Sequence, residues 1–472
     1  MKRLFALFLF LIFSVVVTFS QPVKPLPTRL QLAWHEMEFY WFIHFGPNTF
    51  TGEEWGHGDE QADVFNPTQL DCRQWARIAK QSGAKGIILT VKHHDGFCLW
   101  PSNYSKHTVR ESAWKGGKGD VVRDLARACR EFGLKMGVYL SPWDRNHPDY
   151  GTPAYNDVYV NTMKELISRY GPFFEFWWDG ANGEGPNGKR QEYDFKRFEQ
   201  TMRRYAPGTL VFSDIGPDIR WVGNEKGIAG ETNWNFLDTA GFKRGEGAPP
   251  TDTLNRGNVN GKHWIPAECD VSIRPGWFYH PEEDDKVKTG EQLFDLYLKS
   301  VGRGANFLLN VPPDRRGLIS SRDSASLLAF KKFRDESFAR NLIPGSKGEL
   351  HTTGGIFPQR NFIDDNEKTY DKLLNYENSR LWVKFEHVKK INCIVLQEPI
   401  ELGQRVGSGK LVLLYGARPV REIEFTTIGR KRIFTFPATE ASAISLLVRE
   451  SRDVPFISEM AAYIIDEKLV EK

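Results

Sequence analysis

Phe173-Phe174-Glu175-Phe176-Trp177-Trp178-Asp179-Gly180 is an aromatic run that ends in a carboxylate and a glycine. Short unbroken apolar runs read as strands buried on both faces, as in parallel sheets. An acid at the end of such a strand is costly unless it meets a cleft, a partner or water. In barrels of alternating strands and helices, catalytic groups sit at the carboxyl ends of the strands. Asp179 is therefore a candidate catalytic carboxylate. A strand-end aspartate also caps turns, and this segment alone leaves both readings open.

Outward from this strand the same texture repeats. Phe39 to Phe45, Gly86 to Val91, Lys135 to Leu140, Thr209 to Ser213 and Asn306 to Val311 read as strands. Thr68 to Gln81, Asp120 to Phe132, Pro153 to Tyr170, Gln191 to Tyr205 and Gly290 to Val301 read as helices. Asp120 is a plausible N-cap, with Gly133 just beyond the end of its helix. This alternation, from about Gln31 to Asn341, predicts a parallel sheet covered by helices. A closed (β/α)8-like, TIM-type barrel is favoured over an open doubly wound sheet. No G-x-G-x-x-G opens a helix after the first strand, and polar residues follow several different strands. Residues 215–285, rich in glycine and tryptophan, read as irregular, so the barrel is expected to be imperfect there.

After Pro344-Gly345 the texture changes. Short alternating runs (Leu381 to Phe385, Ile391 to Leu396, Leu411 to Tyr415, Ser445 to Val448) predict an all-β sandwich over residues 344–472. It shows no clustered surface aromatics, so bracing the barrel is favoured over binding carbohydrate.

The 472 residues suit a barrel of about 250–350 residues plus a smaller module. A net charge of +3 leaves no nucleic-acid footprint. Lys2 and Arg3 precede an apolar run from Leu4 to Val17 that is too short for a comfortable membrane span. Residues 1–20 therefore read as a secretory signal, and residues 21–343 as the barrel. The expected location is periplasmic or secreted, with no membrane anchor after signal removal. Cys72, Cys98, Cys129, Cys269 and Cys393 show no C-x-x-C spacing and read mostly as buried thiols, with one disulfide left open.

The strand ends carry the chemistry. The first runs into His44-Phe45-Gly46-Pro47, with Glu53-Glu54-Trp55-Gly56 following. The second runs into Lys92-His93-His94-Asp95-Gly96-Phe97 and then Trp100-Pro101-Ser102, and the third into Tyr139-Leu140-Ser141-Pro142-Trp143. Paired histidines beside an aspartate suit zinc. Adjacent residues on an extended strand point to opposite faces, however, and no other histidine arrives at ligand spacing, so no metal is expected. Neutral imidazole donors suit sugar hydroxyls, because they offer directional hydrogen bonds without a permanent charge. No G-x-S-x-G elbow supports serine chemistry.

Taken together, His44-Phe45-Gly46, His93-His94-Asp95-Gly96-Phe97 and Trp177-Trp178-Asp179-Gly180 resemble the α-L-fucosidases of glycoside hydrolase family 29, over most of residues 30–340. The resemblance implies a retaining exo-enzyme that removes terminal α-L-fucosyl groups from fucosylated oligosaccharides or glycoconjugates without a cofactor. Such an enzyme needs two carboxyls about 5–5.5 Å apart. The resemblance puts the nucleophile at Asp179. The segment Arg220-Trp221-Val222-Gly223-Asn224-Glu225 resembles the branch acting on α-1,3 and α-1,4 linkages, which implies Glu225, expected to be partly buried, as acid/base. Glu231 is the runner-up, with Glu54 and Glu268 behind it. The family's binding residues fall on His44, Trp55, His93, His94 and Tyr139. Trp277 either stacks near the sugar's methyl group or fills the core, Trp221 is a candidate for the aglycone side, and Arg274 is a candidate pocket donor. The alternatives are a broad-specificity α-L-fucosidase of the other branch and a catalytically silent fucose-binding protein.

Overall fold

The computed structural model describes residues 21–245, 248–374 and 376–470; the export segment expected at residues 1–20 lies outside them. Eight parallel strands close a barrel. They are β1 (Phe39–Ile43), β2 (Gly86–Lys92), β3 (Lys135–Leu140), β4 (Glu175–Trp177), β5 (Leu210–Ser213), β6 (Ile219–Trp221), β7 (Ala267–Ser272) and β8 (Asn306–Asn310). β1 completes the circle by pairing with both β2 and β8. This is the TIM-type architecture the alternation predicts.

Local chemistry sets the helices between the strands. Asp71 and Asp120 cap the helices Cys72–Gln81 and Val121–Phe132 by accepting backbone N–H bonds from Arg73 and Arg123, both at 2.8 Å. Gly133 ends the second helix at φ +64°, a conformation that favours glycine. A short helix, Arg29–His35, plugs the bottom of the barrel, where the Trp34 indole donates to Glu175 at 3.1 Å.

Residues 215–285 are less irregular than their composition suggests, because β6 and β7 both lie there. β6 is only three residues long and follows β5 across residues 214–218 alone, with no intervening helix. Parallel neighbours ordinarily need a crossover of a dozen residues or more. Here Asp218 makes the tight return: its carboxylate accepts from the Val211 N–H at 2.8 Å and takes both prongs of the Arg203 guanidinium at 2.8 Å. β7 escapes a search for apolar runs because Glu268, Asp270 and Ser272 alternate with Ala267, Cys269 and Val271. The small and apolar set packs outward and the polar set points into the barrel.

The β4 segment follows the same alternation. Phe176 and Trp178 pack outward, the latter on Phe195 and Phe198, while Glu175 and Trp177 point inward with Asp179 above them. Glu175 and Glu268 are both buried inside the barrel, and that burial holds their carboxyls above the usual range, with the Glu268 charge raising Glu175 further. Glu268 accepts from the Tyr40 hydroxyl and, at 2.8 Å, from the Trp177 indole.

The C-terminal part is an antiparallel β domain. Its seven-stranded sheet runs in the order Gly355–Pro358, Lys347–Thr352, Arg380–Gln397, Arg432–Ser451, Val406–Tyr415 and Arg418–Phe425, with Glu459–Tyr463 also pairing Arg380–Gln397. The runs Leu381 to Phe385 and Ile391 to Leu396 are two ends of one long strand, with a register shift between Lys384 and Lys389. Leu381, Val383, Ile394, Leu396 and Ile444 build this domain's own core. Cys393, Val395, Ile433 and Ala461 instead join the barrel's core beside Tyr297, Val301 and Phe330. Polar ties add to the seam: Lys431 pairs with Glu38 at 2.5 Å, and Asn235 donates its backbone N–H to Gln404 at 2.9 Å. The five cysteines are free and buried.

Candidate active site

The strand ends surround a cavity of about 180 Å³, lined by Phe42, His44, Glu54, Trp55, His93, His94, Tyr139, Trp177, Asp179, Ala181, Glu225, Asp270 and Trp277. That is below the ~300–1,000 Å³ of pockets for drug-sized ligands, and suits a single sugar ring better than a chain.

Asp179 projects from the end of β4. Its Oδ2 accepts from the Tyr139 hydroxyl at 2.8 Å, and its Oδ1 from the Ala181 N–H at 2.7 Å. Both oxygens are thereby oriented. Burial, reinforced by the Asp179 charge, holds the Tyr139 phenol well above its ordinary pKa, so it stays a donor.

His44 and His94 present acceptors to the cavity rather than the expected donors, because their neighbours fix the tautomers. Asn310 donates its amide N–H bonds to the Trp277 carbonyl at 2.7 Å and to Ser272 Oγ at 2.9 Å, which turns its oxygen toward His44 Nδ1 at 2.9 Å. His44 therefore carries its proton on Nδ1 and leaves Nε2 as an acceptor. Ser141 Oγ donates to the Trp143 carbonyl at 2.8 Å and so accepts from His94 Nδ1 at 2.7 Å. His94 Nε2 then stands as an acceptor 3.8 Å from Asp179 Oδ2. Burial lowers both histidines to about 4, more than the neighbouring Asp179 charge restores. His93 is pushed well down by burial and by His94, and its Nδ1 has no hydrogen-bond partner.

His93 and His94 do not point to opposite faces as an extended strand requires. β2 ends at Lys92, and in the turn beyond it the two rings come within 4.1 Å of each other, both on the cavity. Trp55 stands at the mouth, 55% exposed, edge-on to His94 and Trp143.

The carboxyl candidates separate cleanly by place. Glu225 lines the cavity and accepts from the Trp277 indole at 3.3 Å, but it is exposed rather than partly buried. Glu231 is away from the cavity, at the seam with the β domain, where its backbone carbonyl accepts from Arg432 and its carboxylate sits 3.6 Å from Arg303. Glu54 reaches the cavity, yet its carboxylate is taken up by the backbone N–H groups of Trp277 (2.8 Å) and Phe278 (3.3 Å) and by His280 at 2.5 Å. Glu268 lies beneath the Trp177 floor. Arg274 is no pocket donor: its guanidinium is buried against Asp323 and Asp284, both at 2.9 Å.

Trp277 lines the cavity with its ring 5.1 Å from His44, whereas Trp221 is set one residue back, donating its indole N–H to Asp270 at 2.9 Å. The residue that sequence reasoning missed is Asp270. It is 4% exposed and lines the cavity with Asp179 and Glu225, and burial and the Glu225 charge hold its carboxyl well above the ordinary range. The signal that reveals it is the period-two alternation of β7, read with a polar rather than an apolar interior.

A one-ring cavity with an oriented carboxylate, a second carboxylate on its lining, neutral hydroxyl acceptors and aromatic walls is suited to glycoside chemistry, and the comparisons agree. The α-L-fucosidase family model matches residues 18–335. Alpha-L-fucosidase 1 of Arabidopsis thaliana is 41% identical over 451 residues, covering 94% of this chain and 88% of that protein. A glycoside hydrolase 29 family member from an unknown rumen bacterium superposes with a TM-score of 0.84 at 40% identity, covering 95% of this chain and 78% of the other. A Ruminococcus gnavus GH29 fucosidase, solved in complex with fucose, gives a TM-score of 0.84 at 30% identity, covering 95% and 97%. Among the described residues no helix is long and apolar enough to cross a membrane. On the strength of its barrel, its pocket and these matches, the chain belongs to the α-L-fucosidases of glycoside hydrolase family 29.

Proposed function

We propose that the protein is a retaining exo-α-L-fucosidase working by double displacement, with Asp179 as nucleophile and Glu225 as acid/base. The observation that carries this reading is the Asp179 carboxylate, oriented through both oxygens over a cavity of one-ring size whose lining also holds Glu225. In the first step an Asp179 oxygen bonds to the anomeric carbon as the glycosidic C–O bond breaks, and Glu225 gives its proton to the leaving oxygen. In the second, Glu225 takes a proton from water, whose oxygen displaces Asp179 from the anomeric carbon. Two inversions return the starting configuration. The Nε2 acceptors of His44 and His94 receive sugar hydroxyl protons, and the walls of Trp277 and Phe42 suit the apolar side of a deoxy sugar.

The Arg220–Glu225 segment favours α-1,3- and α-1,4-fucosylated branched glycans over the broad specificity of the other branch. The basic, then apolar N-terminal segment favours export to the periplasm or the medium. The deciding experiment is Asp179→Ala: turnover should vanish and azide should restore part of it, giving the β-fucosyl azide. A variant that keeps wild-type turnover, or an azide product of retained configuration, overturns the assignment. Rates on α-1,2, α-1,3, α-1,4 and α-1,6 fucosides beside an aryl fucoside test the linkage preference.

A further inference from the structure

We propose that Asp270 is a positioning residue for proton delivery: by accepting from the Trp221 indole it fixes the root of the turn that carries Glu225. This rests on the acid/base reading of Glu225 given above.

The turn leaves β6 at Trp221 and reaches Glu225 four residues later. Gly223 adopts φ +85°, and a Cβ there would lie 2.5 Å from the Thr251 carbonyl oxygen, so the chain must pass at that spot as glycine. Asn224 folds the turn on itself, donating to the Ile228 carbonyl at 2.9 Å and accepting from the Lys226 N–H at 3.0 Å. Beyond these contacts Glu225 is exposed, and among the described residues the Trp277 indole is the one hydrogen-bond donor on its carboxylate. An exposed carboxyl on a turn loses orientation easily, and orientation is what an acid/base needs. Asp270 supplies the missing constraint from the rigid side. It stands on a barrel strand, is buried, and holds Trp221 at 2.9 Å. Two indoles thus tie two carboxyls: Trp221 to Asp270 at the root of the turn, and Trp277 to Glu225 at its tip. Burial and the Glu225 charge push the Asp270 carboxyl well above its ordinary range, which disfavours a second negative charge beside the acid/base.

The test compares kcat/KM on a fucosylated oligosaccharide, whose leaving group needs a proton, with that on an activated aryl fucoside, whose leaving group does not. D270A should lose about tenfold or more on the oligosaccharide and less than about threefold on the aryl substrate. D270N retains a neutral acceptor for the indole and should recover most of the oligosaccharide rate. W221F removes the same hydrogen bond from the other side, should reproduce the D270A pattern, and serves where D270A does not fold. In an E225Q background D270A should add no further loss. Equal losses of D270A and W221F on the two substrates, a D270A loss that persists in E225Q, or a D270N as slow as D270A each overturn the inference. E225Q equally slow on both substrates overturns the reading of Glu225 and, with it, this one. A substrate-selective E225Q beside an unselective D270A overturns this one alone.

Discussion

Tyr139 donates a 2.8 Å hydrogen bond to Asp179 Oδ2 between the ends of adjacent strands β3 and β4. The phenol also lies over Trp177, with ring centroids 5.5 Å apart, so its position does not depend on that bond. Tyr139→Phe therefore isolates the hydroxyl. A hydrogen bond to a charged group is worth about 1.5–3 kcal/mol, so kcat should fall by about 10- to 100-fold with the fold intact. An unchanged kcat would show that Tyr139 does not orient Asp179 for turnover.

The two acceptor histidines predict a pH dependence of sugar binding. Burial lowers His44 and His94 to about 4, so both remain neutral acceptors across the neutral range. Inhibition by free fucose should be level between pH 5 and 8 on their account, and should weaken as pH falls through about 4, where Nε2 gains a proton and stops accepting. Competition assays at several pH values measure this directly; binding that weakens already near the ordinary histidine value of 6.5 contradicts the neutral-acceptor picture.

Glu54 fixes the backbone of Trp277 and Phe278. Glu54→Ala should raise KM for oligosaccharide and aryl substrates alike, because it loosens the Trp277 wall of the cavity. A loss confined to poor leaving groups would make Glu54 the acid instead.

Thermal stability should fall as pH rises from about 6.5 to 8. Burial raises Asp95, Asp214 and Glu398 to about 7 and Glu459 to about 8, against ordinary values of 3.8 and 4.5. The folded protein then holds protons that the unfolded chain has already released, and their contribution is lost as pH rises through 7 to 8. Below 6.5 the buried His35, His44 and His94 work the other way, since the unfolded chain takes up protons that the fold refuses. The two sets oppose each other between roughly pH 4.5 and 6.5. Calorimetry at pH 6.5 and 8.5 should give the lower Tm at 8.5, and a higher Tm there would refute the balance.

Ile433 lies in the β domain but packs in the barrel's core. Ile433→Ala should cost about 2–4 kcal/mol and lower a single calorimetric transition that includes the barrel. Two separate transitions, with only the later chain segment shifted, would show that the halves fold independently.

The sequence carries the barrel well where the physics is simple and poorly where it is not. β1, β2 and β8 are apolar enough to be seen as runs, and the helix after β2 announces itself through Asp120 and Gly133. β6 is invisible because three residues and a tight return at Asp218 replace the usual crossover. β7 is hidden because its inward residues are Glu268, Asp270 and Ser272, and a search for buried strands assumes an apolar interior. That assumption also conceals Asp270 as a lining residue. His44, His93, His94 and Tyr139 were legible from their places at successive strand ends. Which ring nitrogen of His44 and His94 carries the proton was not, since it depends on Asn310 and Ser141, which only the closed barrel brings alongside. Glu231, the runner-up acid, is carried past the turn at Gly227 to the seam with the β domain, away from the cavity.

Sharing Cys393, Val395, Ile433 and Ala461 with the barrel means that the β domain cannot be exchanged as a cassette. A different module spliced after residue 343 would leave Tyr297, Val301 and Phe330 facing water, and the enzyme would lose its fold before its specificity could change. Substitutions across this junction must be matched in pairs to keep the shared core filled, whereas the loops at the other end of the strands can change without touching it.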